Sequence, residues 1–341
     1  MIGKIARQFG TIVGVAAATW IVLALLLYGL FYRTINDVYQ KVGRDVLQVV
    51  CGRMVPNELI YTLTPGECRF TNSEFDIGVR VDADGFRNAR EHLGAGPVKV
   101  AVIGDSHAMG WGVQQGEKLS SLLARDPRLS VRDLSMSSYG TARELLALQR
   151  YGQNADVVIL QYCDNDRAEN AAFVADPPGF VAKAAERAAT YEKEIASLRQ
   201  SAGQPGPLRG ILRSGLGGLA ATWRLMLLPP RATRPTPQPV IETEAKLFAG
   251  VVAHFKTALA GRTVVVFDGT PRGARVGSAG AFRAALDNEG LDNVVVLDLV
   301  GTITPSDYFH IDEHMRARGH AKLAARMLAE LDRPGRLPVP R

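Results

Sequence analysis

Residues 98–112, VKVAVIGDSHAMGWG, decide how the rest of the chain is read. Val98 to Ile103 is a nearly continuous apolar run, the pattern of a strand buried on both faces of a parallel sheet. The run stops at Gly104-Asp105-Ser106, where a loop leads toward a helix. In open α/β sheets, ligands meet the protein outside the carboxyl ends of the strands. A serine at this point therefore stands where chemistry is done.

Working outward, four more β-rich runs follow: SVRDLSM (130–136), ADVVILQYC (155–163), TVVVFDG (263–269) and NVVVLDLV (293–300). Helical patterns separate them, near 117–126, at 141–151 and ahead of each of the last two, and a final helix over 315–332 stops before Pro334. This alternation predicts an α/β fold: a three-layer, flavodoxin-like domain with a mainly parallel five-stranded sheet, over residues 97–333. An insertion at about 167–242 interrupts it. Its first half reads as a charged helix at 178–200. Within 204–240, Leu212, Leu216, Leu219, Trp223 and Met226 recur at helical steps, an apolar face suited to core packing or to a lid or membrane-surface element. The PPRATRPTPQP stretch behind it is a stiff linker, and residues 334–341 are a tail.

Toward the N-terminus, Gln8 to Tyr32 carries no charge. About 20 apolar residues match a hydrocarbon core of about 30 Å, so residues 1–33 read as an uncleaved, single-pass transmembrane anchor. Lys4 and Arg7 precede the span, and Arg33, Lys41 and Arg44 follow it, so charge leaves the orientation open. Residues 34–96 form a stalk and lead-in, in which FDIGVRVDADGFRN (75–88) reads as a hairpin turning at Asp84-Gly85. Cys51 and Cys68 are close enough in sequence to pair in an oxidising, extracytoplasmic compartment. Cys163, at the end of an apolar strand, reads as a buried thiol.

Composition excludes some classes. The net charge is +6, but the basic residues are scattered and not interleaved with aromatics in one arm, so no nucleic-acid partner is expected. Gly110, Gly112 and Gly116 have the spacing G-x-G-x-x-x-G, which is not a dinucleotide fingerprint, and Gly116-Glu117-Lys118 lacks the phosphate-loop spacing. No cofactor is implied. His92 and His254 suggest surface or helix positions only.

The segment from Gly104 to Gly110 resembles the GDS-x-x-x-G signature of SGNH/GDSL hydrolases. That resemblance implies a serine esterase with Ser106 as nucleophile. It implies an oxyanion hole built from the Ser106 and Gly140 backbone N–H groups and the Asn165 side chain. It also implies an acid and a histidine ahead of the last helix, followed by a Gly-His pair. Here His314 precedes Gly319-His320 and becomes the general base. Asp312 stands two residues before it, as in the Asp-x-His variant of some acyl-modifying relatives, and Asp307 with His310 is the rival pair. Residues two apart in an extended segment point to the same side, which favours Asp312. The chemistry requires such a trio, because a serine hydroxyl needs a base and an imidazole needs a carboxylate to fix its tautomer.

By the same resemblance, the expected substrate is an acyl ester, such as an acetyl ester of a cell-envelope polysaccharide, and O-acyl transfer would use the same residues. A non-catalytic glycan-binding or scaffold role is the second reading. A third comes from His310-Ile-Asp-Glu-His314, formally the H-x-x-E-H of a zinc hydrolase, although that motif needs a helix and a third ligand.

Overall fold

The computed structural model describes residues 10–11, 13–26, 43–71, 74–202, 235–271, 273–291, 293–309 and 312–338. No helix among them is long and apolar enough to cross a membrane. Residues 10–11 and 13–26 are helical with mostly exposed side chains, and the remainder of the predicted 8–32 span lies outside the described residues. The predicted apolar helix near 209–228 lies outside them too.

The sheet and the residues considered below belong to one compact unit, Arg44–Gly203 with Pro230–Arg341. Its lead-in comprises α1 (Gly43–Cys51), β1 (Gly52–Met54), β2 (Tyr61–Leu63), β3 (Gly66–Thr71) and β4 (Asp76–Val81). Then follow β5 (Val98–Ile103), α2 (Ser106–Met109), α3 (Leu119–Leu123), β6 (Leu129–Asp133), α4 (Thr141–Tyr151) and β7 (Val157–Tyr162). After β7 come α5 (Arg167–Ala175), α6 (Pro177–Ala182), α7 (Ala184–Ala202), α8 (Gln238–His254) and α9 (Lys256–Leu259). The unit ends with β8 (Thr263–Asp268), α10 (Ser278–Asn288), β9 (Val294–Leu297) and α11 (Ala317–Leu331).

Five strands pair in the order β6-β5-β7-β8-β9, all parallel, as the apolar runs predicted. Alternate strand residues point to opposite faces. Ala101, Ile103, Val158, Leu160, Val264 and Val266 pack with α4, α8 and α10, through Leu145, Phe248 and Phe282. Val100, Val102, Val157, Ile159, Val265 and Phe267 pack on the other face with α3 and α11, through Leu119, Leu323 and Met327. The result is the expected three layers. The order reverses beside β5, between β6 and β7, which makes the carboxyl end of β5 the point where a crevice opens.

The lead-in departs from its prediction. β4 pairs backward with β3, not forward across Asp84-Gly85. The chain still turns there, with the Gly85 N–H donating to the Asp82 carbonyl at 3.1 Å. Ile77, Val79 and Val81 face the core together with Phe70 of β3, so backward pairing buries one continuous apolar face. β3 was not legible because its alternation, GECRFT, exposes Glu67, Arg69 and Thr71 around two apolar positions. Cys51 and Cys68 are bonded, tying the end of α1 to β3. The lead-in is also structural: Arg87, fully buried, donates to the carbonyls of Gly110 and Val113 in the segment after Ser106. Burial, opposed by Asp133 and Glu117, lowers its pKa to about 10.

Asp133, at the end of β6, accepts from Lys118 Nζ at 2.6 Å and Ser120 Oγ at 2.8 Å, and all three are buried. Removing one partner of such a pair leaves a buried charge without compensation. Lys118→Met should therefore lower the unfolding free energy by about 3–5 kcal/mol in urea titrations. Arg128→Ala, which breaks an exposed pair with Asp332, should change it by less than about 1 kcal/mol.

Candidate active site

The site is assembled from the three loops that leave β5, β6 and β7 and from the segment before α11. Asp105 caps α2, its Oδ1 accepting from the His107 N–H at 2.8 Å, which places Ser106 at the first helical residue. Gln161 of β7 holds this turn from beneath, its Oε1 accepting from the N–H groups of Asp105 at 3.0 Å and Ala108 at 3.2 Å. Residue 104 must be glycine for this, because a Cβ there would lie 2.6 Å from Gln161 Oε1 and 2.7 Å from Ala108 Cβ.

His314 Nε2 lies 2.7 Å from Ser106 Oγ. Its Nδ1 lies 2.5 Å from Asp312 Oδ1, which also accepts the His314 backbone N–H at 2.9 Å. Serine and histidine are 2% and 3% exposed, so the contact is made away from bulk water. The second Asp312 oxygen accepts from Trp111 Nε1 at 3.2 Å. Burial alone would raise the Asp312 pKa, but the imidazole and the hydrogen bonds from His314 and Trp111 reverse this and hold it at about 2. The carboxylate is thus ionised at any ordinary pH.

Two further rings fix the imidazole. Trp111 stacks on His314 with centroids 5.0 Å apart and planes 21° apart, and His107 stacks on it at 4.4 Å and 29°. Burial first, then His314, lowers the His107 pKa to about 4, so it stays neutral beside the His314 ring. Both residues lie inside the quoted GDSHAMGW segment, yet nothing in their spacing indicated stacking on a histidine some 200 positions later.

The proposed oxyanion donors sit on loops that are bonded to one another. Gly140 precedes α4, and a Cβ there would meet the Glu169 side chain at 2.8 Å. Thr141 Oγ1 donates to Asp166 Oδ2 at 3.2 Å, and Met136 N donates to the Gly104 carbonyl at 2.9 Å. These bonds join the β6 loop to those after β7 and β5. Asn165 does not end β7 as expected; it lies in the 3-10 turn Asp164–Asp166, three residues after the strand. Its Nδ2 donates to Asp105 Oδ2 at 3.0 Å, which uses one of its two amide protons and brings it beside the serine turn. Among the described residues, the backbone N–H groups of Ser106 and Gly140 have no protein acceptor.

The rival acid is otherwise engaged. Asp307 accepts from Thr304 N at 2.9 Å and pairs with Lys322 at 2.8 Å and Arg318 at 3.2 Å. Its partner His310 lies outside the described residues. The zinc reading required His314 on a helix, but residues 312–316 are not helical and α11 begins at Ala317. Asp105, His107 and Cys163 bring ligand-type atoms within 4.8 Å of one another. Both Asp105 oxygens already accept hydrogen bonds, and burial pushes the Cys163 thiol well up, so the group reads as a hydrogen-bonded support for the serine turn.

No protein-family model matches the chain, and no curated protein matches it. Solved structures are similar at low identity. A lipolytic protein of the G-D-S-L family from Veillonella parvula is 12% identical over 69% of this chain and 99% of that one, with a TM-score of 0.36. The psychrotrophic esterase EstA from Pseudoalteromonas is 10% identical over 68% and 96%, with a TM-score of 0.37. A family two carbohydrate esterase from Clostridium thermocellum, solved in complex with cellohexaose, is 11% identical over 69% and 63%, with a TM-score of 0.39. Scores this low decide nothing about chemistry, which rests on the geometry above.

His320, the second residue of the Gly-His pair, accepts the Leu119 N–H on Nδ1 at 3.3 Å, and burial lowers its pKa to about 3. Both His107 and His320 have folded pKa values below the unfolded value of about 6.5. As pH falls below that value, the unfolded chain binds protons that the folded chain refuses until about 4 and about 3. Urea unfolding at pH 7.5 and pH 5 should show a loss of about 2 kcal/mol for each imidazole. His320→Asn, which keeps an acceptor but does not titrate, should remove its share of that slope.

Proposed function

We propose that the protein is a serine ester hydrolase of the SGNH/GDSL type, and one observation carries the reading: the unbroken chain from Ser106 Oγ through the His314 imidazole to the Asp312 carboxylate. A serine hydroxyl is a weak nucleophile near neutrality and attacks only if a neutral imidazole takes its proton. His314 Nε2 receives that proton as Ser106 Oγ bonds to the acyl carbon. Asp312, ionised, holds the tautomer with the proton on Nδ1 and stabilises the imidazolium that forms. The Trp111 face against the ring adds a further attraction to the cation. The oxyanion is received by the backbone N–H groups of Ser106 and Gly140 and by the remaining Asn165 amide proton. One such donor is worth about 3 kcal/mol in the transition state. Collapse expels the alcohol, protonated by His314, and the same imidazole then activates water to release the acid.

The finer reading is a small acyl group, acetyl in the first instance, carried by an envelope polysaccharide, with residues 1–33 anchoring the domain to the membrane. The Cys51–Cys68 disulfide supports an oxidising, extracytoplasmic compartment. A purely glycan-binding domain would have no use for a buried serine–histidine–aspartate chain.

With p-nitrophenyl acetate, Ser106→Ala and His314→Ala should each lower kcat by about three orders of magnitude or more, and a fluorophosphonate should label the wild type at Ser106 alone. Unaltered turnover in Ser106→Ala removes the serine from the mechanism. Asp312→Asn should lower kcat by about 10²–10⁴-fold with little change in KM, whereas Asp307→Asn should act on stability and leave kcat within about threefold.

A further inference from the structure

Two residues other than glycine have positive φ among the described residues, Ile60 at 72° and Ser138 at 62°. For a β-branched residue this is an outlier, and such conformations persist only where the surroundings over-determine them. Each immediately precedes a tyrosine, and the two tyrosines bind each other's strained turns. Tyr61 Oη donates to the Ser137 carbonyl at 2.5 Å, and Tyr139 Oη donates back to the Tyr61 carbonyl. The rings meet edge to face with centroids 5.4 Å apart. Gln48 Nε2, from α1, gives the Ser137 carbonyl a second donor at 3.3 Å. Arg143 Nη2 donates to the Ser138 carbonyl at 2.5 Å and stacks over the Tyr139 ring at 4.5 Å. Ser137, Ser138 and Tyr139 lead directly into Gly140, and Cys51, three residues after Gln48, is the disulfide partner of Cys68.

We infer that this reciprocal clasp makes Tyr61, with Gln48, a positioning residue for the oxyanion hole, so that the lead-in segment sets where the Gly140 N–H points. The inference rests on the esterase reading for its catalytic consequence, but the clasp itself is tested without it. Neither Tyr61 nor Gln48 touches Ser106, Asp312 or His314 through a hydrogen bond. A hydroxyl removed at Tyr61 therefore acts on the donor and not on the base.

The test uses the full chain with Tyr61→Phe, which keeps the ring and deletes only the clasping hydroxyl. Glu58→Gln, on the same lead-in and paired with Arg150 on the surface, is the control. In Tyr61→Phe, kcat for p-nitrophenyl acetate should fall about tenfold or more with KM within about twofold, since a displaced oxyanion donor costs less than a deleted one. The apparent pKa of the kcat/KM profile should stay where it is in the wild type, because the histidine is untouched. A merely structural role would lower the melting temperature and leave kcat alone well below it. Hydrogen exchange of the 134–142 segment should rise about fivefold or more in Tyr61→Phe and not in Glu58→Gln, a reading that needs no catalysis. If Tyr61→Phe does not fold, Gln48→Ala replaces it, with the same directions and smaller effects. Unchanged exchange, or kcat within twofold of wild type in an active enzyme, overturns the clasp. An inactive wild type with raised exchange in the variant instead overturns the esterase reading and keeps the clasp.

Discussion

The site depends on a single hydrogen bond that joins two distant parts of the chain, from Ser106 Oγ to His314 Nε2. Ser106 is delivered by β5, an inner strand of the sheet that pairs in parallel with β6 on one side and β7 on the other. His314 is delivered by a bent, non-helical segment just before α11. That segment is held by the Tyr308–Met315 bridge and by the Phe309 N–H bond to the His314 carbonyl at 2.9 Å. The helix behind it is seated by His320 on the first residue of α3. Packing of α11 on the sheet therefore sets where the imidazole stands.

Around that bond, the neighbouring groups hold fixed charge states. Asp312 is kept ionised by its hydrogen bonds and the imidazole, and His107 is kept neutral by burial. The imidazole therefore lies between the Trp111 ring and a neutral His107 ring, covered on both faces. The lead-in contributes from the other side. Arg87 holds the segment after Ser106, and Gln48 and Tyr61 hold the loop that ends at Gly140. The lead-in thus braces two sides of the site.

What could be read from residues alone follows from local periodicity and chemistry. Five β-rich runs interleaved with helical patterns define a parallel α/β sheet, and all but SVRDLSM are nearly continuous apolar stretches, as strands covered on both faces are. The end of the first run marked Ser106, and the resemblance, with Gly319-His320 following, singled out Asp312 and His314; the chain bends at both, and Asp312 Oδ1 reaches the imidazole while also accepting the His314 N–H. The rival Asp307 could be set aside only in three dimensions, where Lys322 and Arg318 occupy it.

The backward β3–β4 pairing, the rings on either face of His314 and the tyrosine clasp were decided by the tertiary structure. Each joins residues whose partners are set by how layers stack, and a polar strand such as β3 carries little periodicity of its own. Sequence by itself determined the sheet and, through the family resemblance, singled out Ser106, Asp312 and His314, because both signals are carried by short local stretches of chain. Tertiary structure alone decided what surrounds them, because packing partners far apart in the chain leave no local signal.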